Sequence, residues 1–389
     1  MNHPAKVVIA GGGIGGLTAA IALRRAAFEV VVFERAAELR EVGAGLLLAA
    51  NAQNALRKLG LAEAVARLGT PASASEIRSW RGAVLASIPA AELEKKIGTP
   101  SVAIHRADLQ ELLVREVGER TLRLGAEVRA FEQDESAVRV LFADGSQEDA
   151  DILVGADGLR SRVRAVLIGP EEPRYAGYTA WRAVVEPGEE LLPWGAGFES
   201  WGRGTRFGCV HIGDGRVYWF ATANAPEGEK DGPPGSPAGA KARLLRLFVG
   251  WHRPVADLVE ATEEGAILRT DIYDREPLGE RWGEGRVTLL GDAAHPMTPN
   301  LGQGACQAIE DAVVLARYLG ESGATAEAVR RYERLRSNRA AMVVRRSRRV
   351  GAVGQVENPV LCWLRDRALA VIPQKAQLRQ LEEVLGYKA

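Results

Sequence analysis

The sequence predicts a mixed α/β protein, and three observations predict it. Near the start an apolar run, Val7 to Ile9, meets glycines at positions 11, 13 and 16 and a helix-like stretch, after which Val30 to Phe33 leads to an acid at Glu34. Farther on, Tyr178 to Trp219 is rich in Trp, Arg, Phe and Gly and alternates as a half-buried antiparallel sheet does. Beyond Ala326 the chain is helical in pattern and rich in arginine. A parallel-sheet nucleotide fold, an antiparallel sheet interleaved with it and a helical C-terminal segment account for all three.

The glycines stand in G-x-G-x-x-G spacing between a strand and a helix. Gly11 lets the strand turn sharply, Gly13 lets backbone N–H groups approach a pyrophosphate, and Gly16 permits close packing of helix on strand. The positive helix end then faces the phosphates. Glu34 accepts both hydroxyls of an adenosine ribose and repels a 2′-phosphate, so the unit suits FAD or NAD(H) and disfavours NADP(H).

At 389 residues the chain exceeds one core and suggests two domains, or one with a large insertion. Lys+Arg and Asp+Glu both count 50, so no global field draws it to nucleic acid or to an anionic membrane. Cys209, Cys306 and Cys362 are too few and too scattered for a disulfide framework or a Cys-based zinc site, and no metal is expected. The first strand begins too early for a signal peptide, and no apolar run approaches the ~20 residues of a membrane span. A soluble, cytoplasmic protein is expected, as monomer or homodimer.

In chain order, Gly43 and Gly45 make a loop able to lie beside a planar ring, and Asn51 caps a helix running toward Leu59. Ser73 to Ile88 reads as short strands of a second domain. Ala107 to Val117 is helical, with Leu109, Leu112 and Leu113 on one side; Arg106 at its start opposes the helix dipole, a hint that a ligand wants it. Glu127 to Val154 reads as a β-meander with a hairpin at Asp144-Gly145. Its last strand runs into Asp157-Gly158, where open α/β sheets place ligands, and Ser161 to Val166 is a short helix. The aromatic segments FGCVHI and VYWFA flank an Asp214-Gly215 turn and give a sheet with one face to a cavity. Pro226 to Gly239 is an exposed, mobile loop, followed by helical Lys241 to Trp251 and Pro254 to Ala261. Arg286 to Leu290 is a strand entering GDAAHPMTPNLGQGACQAIEDAVVLARYL, whose helix buries Ala308, Ile309, Ala312, Val313 and Ala316. The arginine-rich C-terminal stretch reads as a solvated helix face, not a nucleic-acid site. The partition expected is a discontinuous dinucleotide domain (1–72, 98–176 and 268–320), a substrate sheet domain (73–97 and 177–267) and a helical segment (321–389).

Three pieces stand together: the glycine fingerprint with Glu34, the strand-end Asp157-Gly158, and Gly291-Asp292 followed by His295-Pro296 and the Pro299 to Gly304 loop. From Val7 to about Arg339 this set resembles the single-component FAD-dependent aromatic hydroxylases, the para-hydroxybenzoate hydroxylase family, and within it the branch of zeaxanthin epoxidase and FAD-dependent urate hydroxylase. The resemblance implies a Rossmann-type FAD-binding domain in which Gly11, Gly13, Ile14, Gly15, Gly16, Glu34 and Arg35 hold the ADP half of FAD, with Gly45 beside the ring. It implies that Arg106 reaches the pyrophosphate or ribityl region, that Asp157 serves both FAD and the incoming nicotinamide, and that Asp292 binds the ribityl chain. Pro299 would lie near the reactive edge, and the backbone around Leu301, Gly302, Gln303 and Gly304 would face the pyrimidine end. Physics supports the last role, because a Gly-rich turn opening a helix offers N–H donors to the anionic reduced flavin.

Many relatives carry Asn where this chain has Cys306, and nothing near Cys306 forms a nucleophilic dyad. A second glycine fingerprint is absent, which suits a transient NAD(P)H. The implied reaction has two halves: NAD(P)H reduces FAD, then reduced flavin and O2 form a C(4a)-hydroperoxide that hydroxylates or epoxidises a small aromatic, heteroaromatic or polyene substrate. The aromatic sheet Trp181 to Phe220 would exclude water. Arg206 and Tyr218, twelve residues apart on neighbouring strands, would bind an acidic substrate and orient it, with Pro299 alongside; Arg182 and His211 are weaker candidates, His211 reading as a satisfied sheet residue. A dehydrogenase without oxygen insertion and a non-catalytic FAD-binding protein share the same dinucleotide unit.

Overall fold

Val7, Val8 and Ile9 are fully buried, as are Ile152, Leu153 and Val154, and a strand buried on both faces needs parallel neighbours with helices above and below. The computed structural model, which describes residues 4–39, 44–72, 74–118, 120–186, 188 and 191–389, meets that need. Its six-stranded sheet runs Gly283–Glu284, Val287–Leu289, Ile152–Gly155, Lys6–Ala10, Glu29–Glu34, Leu122–Leu124. All its pairs are parallel except the edge strand Gly283–Glu284. The helices Ile14–Arg25 and Gly304–Ser322 pack together against it through small residues such as Ala19, Ala20, Ala308 and Ala312.

The stretch expected as one β-meander divides at Asp151. Gln147–Ala150 stays in an antiparallel trio with Val128–Gln133 and Val138–Phe142, while Ile152–Gly155 joins the parallel sheet. The burial pattern gives the reason: Gln147–Ala150 keeps a solvent face, Ile152–Gly155 has none. Asp151 marks the boundary by accepting the Lys6 N–H at 2.7 Å.

The second sheet has seven strands, in the order Leu268–Asp274, Arg174–Val185, Val217–Asn224, Thr205–His211, Gly197–Trp201, Ala74–Ser79, Val84–Pro89. It is antiparallel except where Gly197–Trp201 meets Ala74–Ser79. The sheet extends beyond the expected 177–267 range at both ends, because Leu268–Asp274 pairs with Arg174–Val185 and an Arg174–Asp274 ion pair of 2.9 Å closes their end. Asp214 (φ 51°) and Gly215 (φ 71°) both take the left-handed conformation of a type I′ hairpin. One face packs Trp181, Phe207 and Trp219 on Phe248 and Leu258 of two short helices, forming a second core. The other face carries Tyr178, Arg182, Arg206, Tyr218 and Phe220.

Several expectations change. Gly45 opens a strand, Gly45–Leu48, rather than a loop, and Gly43 lies outside the described residues. Asn51 sits inside the helix Ala50–Lys58, capped by Ala49, because its amide is drawn into the buried network described below. Ala90–Ile97, within the range read as sheet, is a helix. The Pro226 to Gly239 loop is tied down: Asp231 accepts from Trp181 Nε1 at 2.7 Å and from Arg269 at 2.9 Å.

The arginine-rich segment is also more than a solvated face. The helix Ala326–Gly354 buries Arg336 completely, with Nε 2.6 Å from Asp311 and a second ion pair to Glu310, both acids equally buried. Replacing Arg336 by Ala leaves two carboxylates in the core without their main counter-charge. Denaturant unfolding of Arg336→Ala should show a loss of about 3–5 kcal/mol; a loss below about 1 kcal/mol would mean the triad is dispensable.

Candidate active site

The glycine loop divides its glycines between two jobs. Gly11 has φ +112°, and a Cβ there would strike the backbone of Ala156. A Cβ on Gly16 would overlap the Gly11 carbonyl, and one on Gly15 would lie 2.7 Å from Leu290. These three are small because the protein packs against them. Gly13 differs: nothing lies within 4 Å of its Cβ position, its φ is −77°, and it starts the helix Ile14–Arg25 without a side-chain cap. The first-turn N–H groups of that helix therefore open on free space. Ile14 is buried beneath them. Glu34 closes the loop, accepting from Gly12 N at 2.7 Å and Ala36 N at 2.9 Å, with Arg35 exposed beside it. Gln110, which sequence reasoning missed, reaches Gly12 O at 3.4 Å from the helix Arg106–Val117.

Asp292 stands in a short turn, Gly291–Ala293, and its side chain is exposed. Burial nevertheless pushes its carboxyl above the usual range, against the opposing charges of His295 and Arg106. A group both water-accessible and deep in the protein lines a cleft. Arg106 is near enough to act on it, and the Cβ position of Gly304 lies 3.9 Å from its Oδ1. Arg106, Asp292 and Gly304 thus converge from separate parts of the chain. Between them Pro299–Leu301 forms a single turn, and Gly302, at φ +61°, is exposed with open space at its Cβ. The Gln303 side chain points the other way: it is buried, and its Oε1 accepts from Asn51 at 2.9 Å and Gln307 at 3.1 Å. Only its backbone belongs to the cleft.

Asp157 lies beside Gly11 at the end of the strand Ile152–Gly155, but its carboxylate is spent on its own chain. It accepts from Ser161 Oγ, from Arg162 N at 2.7 Å and from Val163 N at 3.2 Å, fastening the start of the helix Arg162–Ile168. Cys306 is buried, which pushes its thiol up to about 12; among the described residues no cluster suits a metal.

The second sheet brings its aromatic face to the first domain. A Cβ on Gly45 would lie 2.5 Å from the Tyr218 ring, so the strand Gly45–Leu48 leans directly on that tyrosine. Trp181 and Trp219, expected in the wall, belong to the opposite face and the core; the wall is Tyr178, Tyr218 and Phe220. Arg206 and Tyr218 do share this face, yet Arg206 pairs with Thr222 and Tyr218 with Val210. Four residues along a strand separate them by roughly 13 Å. The structure pairs them differently. Burial raises the Tyr218 phenol pKa, and Arg182 opposes this by charge and hydrogen bond. Arg206, only 2% exposed, donates to Gln355 at 2.7 Å, Glu199 at 3.0 Å and Asn300 at 2.6 Å, with Tyr178 5.6 Å away. Tyr178 also meets Asn300, at 3.2 Å. His211 is satisfied through Leu192 O at 3.0 Å.

A family model described as FAD binding domain matches residues 4–347. Aurachin C monooxygenase/isomerase of Stigmatella aurantiaca is 48% identical, covering 96% of this chain and 95% of its own length. FAD-dependent urate hydroxylase of Klebsiella pneumoniae is 34% identical over 88% of this chain and 89% of its own. The crystal structure of Klebsiella pneumoniae HpxO complexed with FAD and uric acid matches with a TM-score of 0.92 at 31% identity, covering 98% and 96% of the two chains.

The two kinds of glycine are separable by experiment. Gly16→Ala should cost about 1–3 kcal/mol of stability by overpacking. Gly13→Ala should leave stability within about 0.5 kcal/mol. Blocking one N–H contact to a phosphate should weaken FAD about tenfold or more in a fluorescence titration. Equal destabilisation by both changes would show that Gly13 also serves packing.

Proposed function

The chain belongs to the family of the FAD binding domain, and from that membership we propose that it is a FAD-dependent monooxygenase, reduced by NAD(P)H, that transfers one atom of O2 to a small aromatic or heteroaromatic ring carrying an oxygen substituent. The observation that carries the reading is the approach of Arg106 and Gly304 to Asp292 from separate parts of the chain, with Tyr218 packed on Gly45.

The residues present fit FAD. Gly13 and the first turn of its helix would take the pyrophosphate, and Glu34 would exchange its Gly12 bond for ribose hydroxyls. Asp292 and Arg106 would hold the ribityl region, with Pro299 at the ring edge. The N–H groups around Leu301 and Gly302, at the positive end of the helix Gly304–Ser322, would face the pyrimidine end and favour negative charge there. FAD, when bound, supplies the hydride acceptor and the activation of O2.

The chain's own residues do the rest. Tyr218 and Phe220 cover the ring side of the cleft and exclude water from it. The raised pKa of Tyr218 keeps its phenol protonated near neutrality, so it donates a hydrogen bond to a substrate oxygen, oriented by Arg182. Arg206 acts at one remove, holding Asn300 and through it the Pro299 turn. A urate hydroxylase and a structure holding uric acid among the relatives support a polar ring as substrate.

Purified protein should carry the absorbance of FAD, and a panel of hydroxylated rings should contain one that stimulates NAD(P)H oxidation and gains one oxygen atom by mass spectrometry. Tyr218→Phe should lower kcat/KM for that ring by about tenfold to a hundredfold, the worth of one buried hydrogen bond, with FAD affinity unchanged. Stimulated oxidation that yields only peroxide for every ring, or wild-type turnover in Tyr218→Phe, would refute the respective claims.

A further inference from the structure

The helix Pro359–Val371 is built inside out. Val360, Leu361, Trp363, Leu364 and Val371 are between 49% and 75% exposed and, at helical spacing, fall on one side. The opposite side is firmly seated: Cys362 Sγ approaches Val356 O at 3.2 Å, and Arg365 donates to Gly202 O at 3.1 Å with its guanidinium over the Trp201 ring. Asn358 caps the first turn, accepting from Val360 N and Leu361 N, and Pro359 fixes its start. The apolar face is therefore held rigidly outward, and among the described residues nothing covers it.

The stretch of chain that carries this face is one-sided in charge. Residues 345–389 contain nine Lys or Arg against four Asp or Glu, in a chain whose net charge is zero. Arg345, Arg349, Arg367 and Lys375 form no ion pair among the described residues, and Arg367 projects from the apolar face itself, 5.6 Å from the Trp363 ring. The nearby acids are engaged within the protein: Asp366 with Arg365 at 2.9 Å, Glu357 with Asn224 at 2.7 Å.

We propose that the helix Pro359–Val371 docks the protein on an anionic bilayer surface, its apolar face at the acyl boundary and the surrounding cations among the headgroups. Trp, Leu and Val on one side of a short helix flanked by Arg and Lys is the composition of an interfacial helix. A second copy of the chain fits the face less well, since a two-fold contact through it would set Arg367 and its neighbours against their own equivalents. Among the described residues no helix is long and apolar enough to cross a membrane, and this one, about 20 Å long, would lie on the surface.

Vesicle flotation of the full-length holoprotein tests this, with phosphatidylcholine alone and with about a third phosphatidylglycerol. Binding should require the anionic lipid and weaken in high salt. Leu361→Glu with Leu364→Glu, both exposed, should reduce partitioning at least about tenfold while thermal melting and FAD content stay unchanged. Arg349→Glu with Arg367→Glu should reduce it separately. Absent flotation, or flotation of both double variants equal to that of the wild type, overturns the proposal. So does sedimentation showing a wild-type dimer that Leu361→Glu with Leu364→Glu splits, without lipid binding.

Discussion

Two adjacent acids in the middle of one helix hold the cleft together. Glu310 and Asp311 are wholly buried, and each reaches a different wall. Asp311 accepts from Gly291 N at 3.0 Å and from His295 Nε2 at 2.6 Å, fixing the residues on both sides of Asp292. Glu310 accepts from Asn51, which in turn holds Gln303 and with it the turn at Gly302. Arg336 joins both acids to the long C-terminal helix. Burial alone would raise the Asp311 pKa, yet His295 and Arg336 outweigh it and hold that carboxyl at about 2. Each charge removed from such a network strands another in a low-dielectric interior. Its charges are paired, while Asn51 Oδ1, Gln303 Nε2 and His295 Nδ1 are buried without a partner, and the paired charges fix the backbone of the cleft, as N–H donors aimed at a developing charge require.

A second set of contacts joins the two sheets. Arg206 and Tyr178 grip Asn300 from the aromatic sheet, Gln355 at the end of the long helix meets both Arg206 and Thr222, and Gly45 sits against Tyr218. The two sheets belong to separate main cores, so these polar and close-packed contacts, rather than shared hydrophobic burial, set how the aromatic wall stands over the cleft. An arginine whose three nitrogens each hold a partner within the protein suits that duty better than it suits binding a substrate that must come and go.

Much of the fold was legible because strong local patterns coincide with it. The apolar run at Val7, the glycine spacing and Glu34 define a strand, helix and strand in one short stretch, and the helix Gly304–Ser322 follows its buried stripe. What escaped depends on side-chain partners, distant along the chain for Asn51 and a few residues away for Asp157. Asn51 looked like a cap because Asn prefers helix starts, but its amide finds Glu310 some 259 positions away. Asp157 looked available because it ends a strand, while Ser161 and the next two amides consume it. The arginines after Ala326 looked solvated because overall charge is balanced, and composition cannot show that Arg336 turns inward while Arg345 turns out.

The separation of Arg206 from Tyr218 depends on strand register, which the sequence indicates only to within a residue. Asp214-Gly215 is a strong two-residue hairpin signal, and such a turn fixes register: residues equidistant from it face each other. Counting outward gives His211 opposite Tyr218 and Phe207 opposite Thr222, whereas the ladder sets Val210 opposite Tyr218 and Arg206 opposite Thr222, one residue away from that register. Spacing of twelve residues places two side chains on neighbouring strands but says nothing of their height along them. Even parity then puts both on one face, and the offset of four residues keeps them apart. On its other side, the observed pairing of Val217–Asn224 with Arg174–Val185 sets Val184 opposite Tyr218 and Arg182 opposite Phe220, one diagonal step from the tyrosine. A diagonal neighbour lies within reach of a long side chain, so the observed register of the sheet favours Arg182 over Arg206 as the cation that acts on the Tyr218 phenol, through a pairing of strands that no hairpin turn connects.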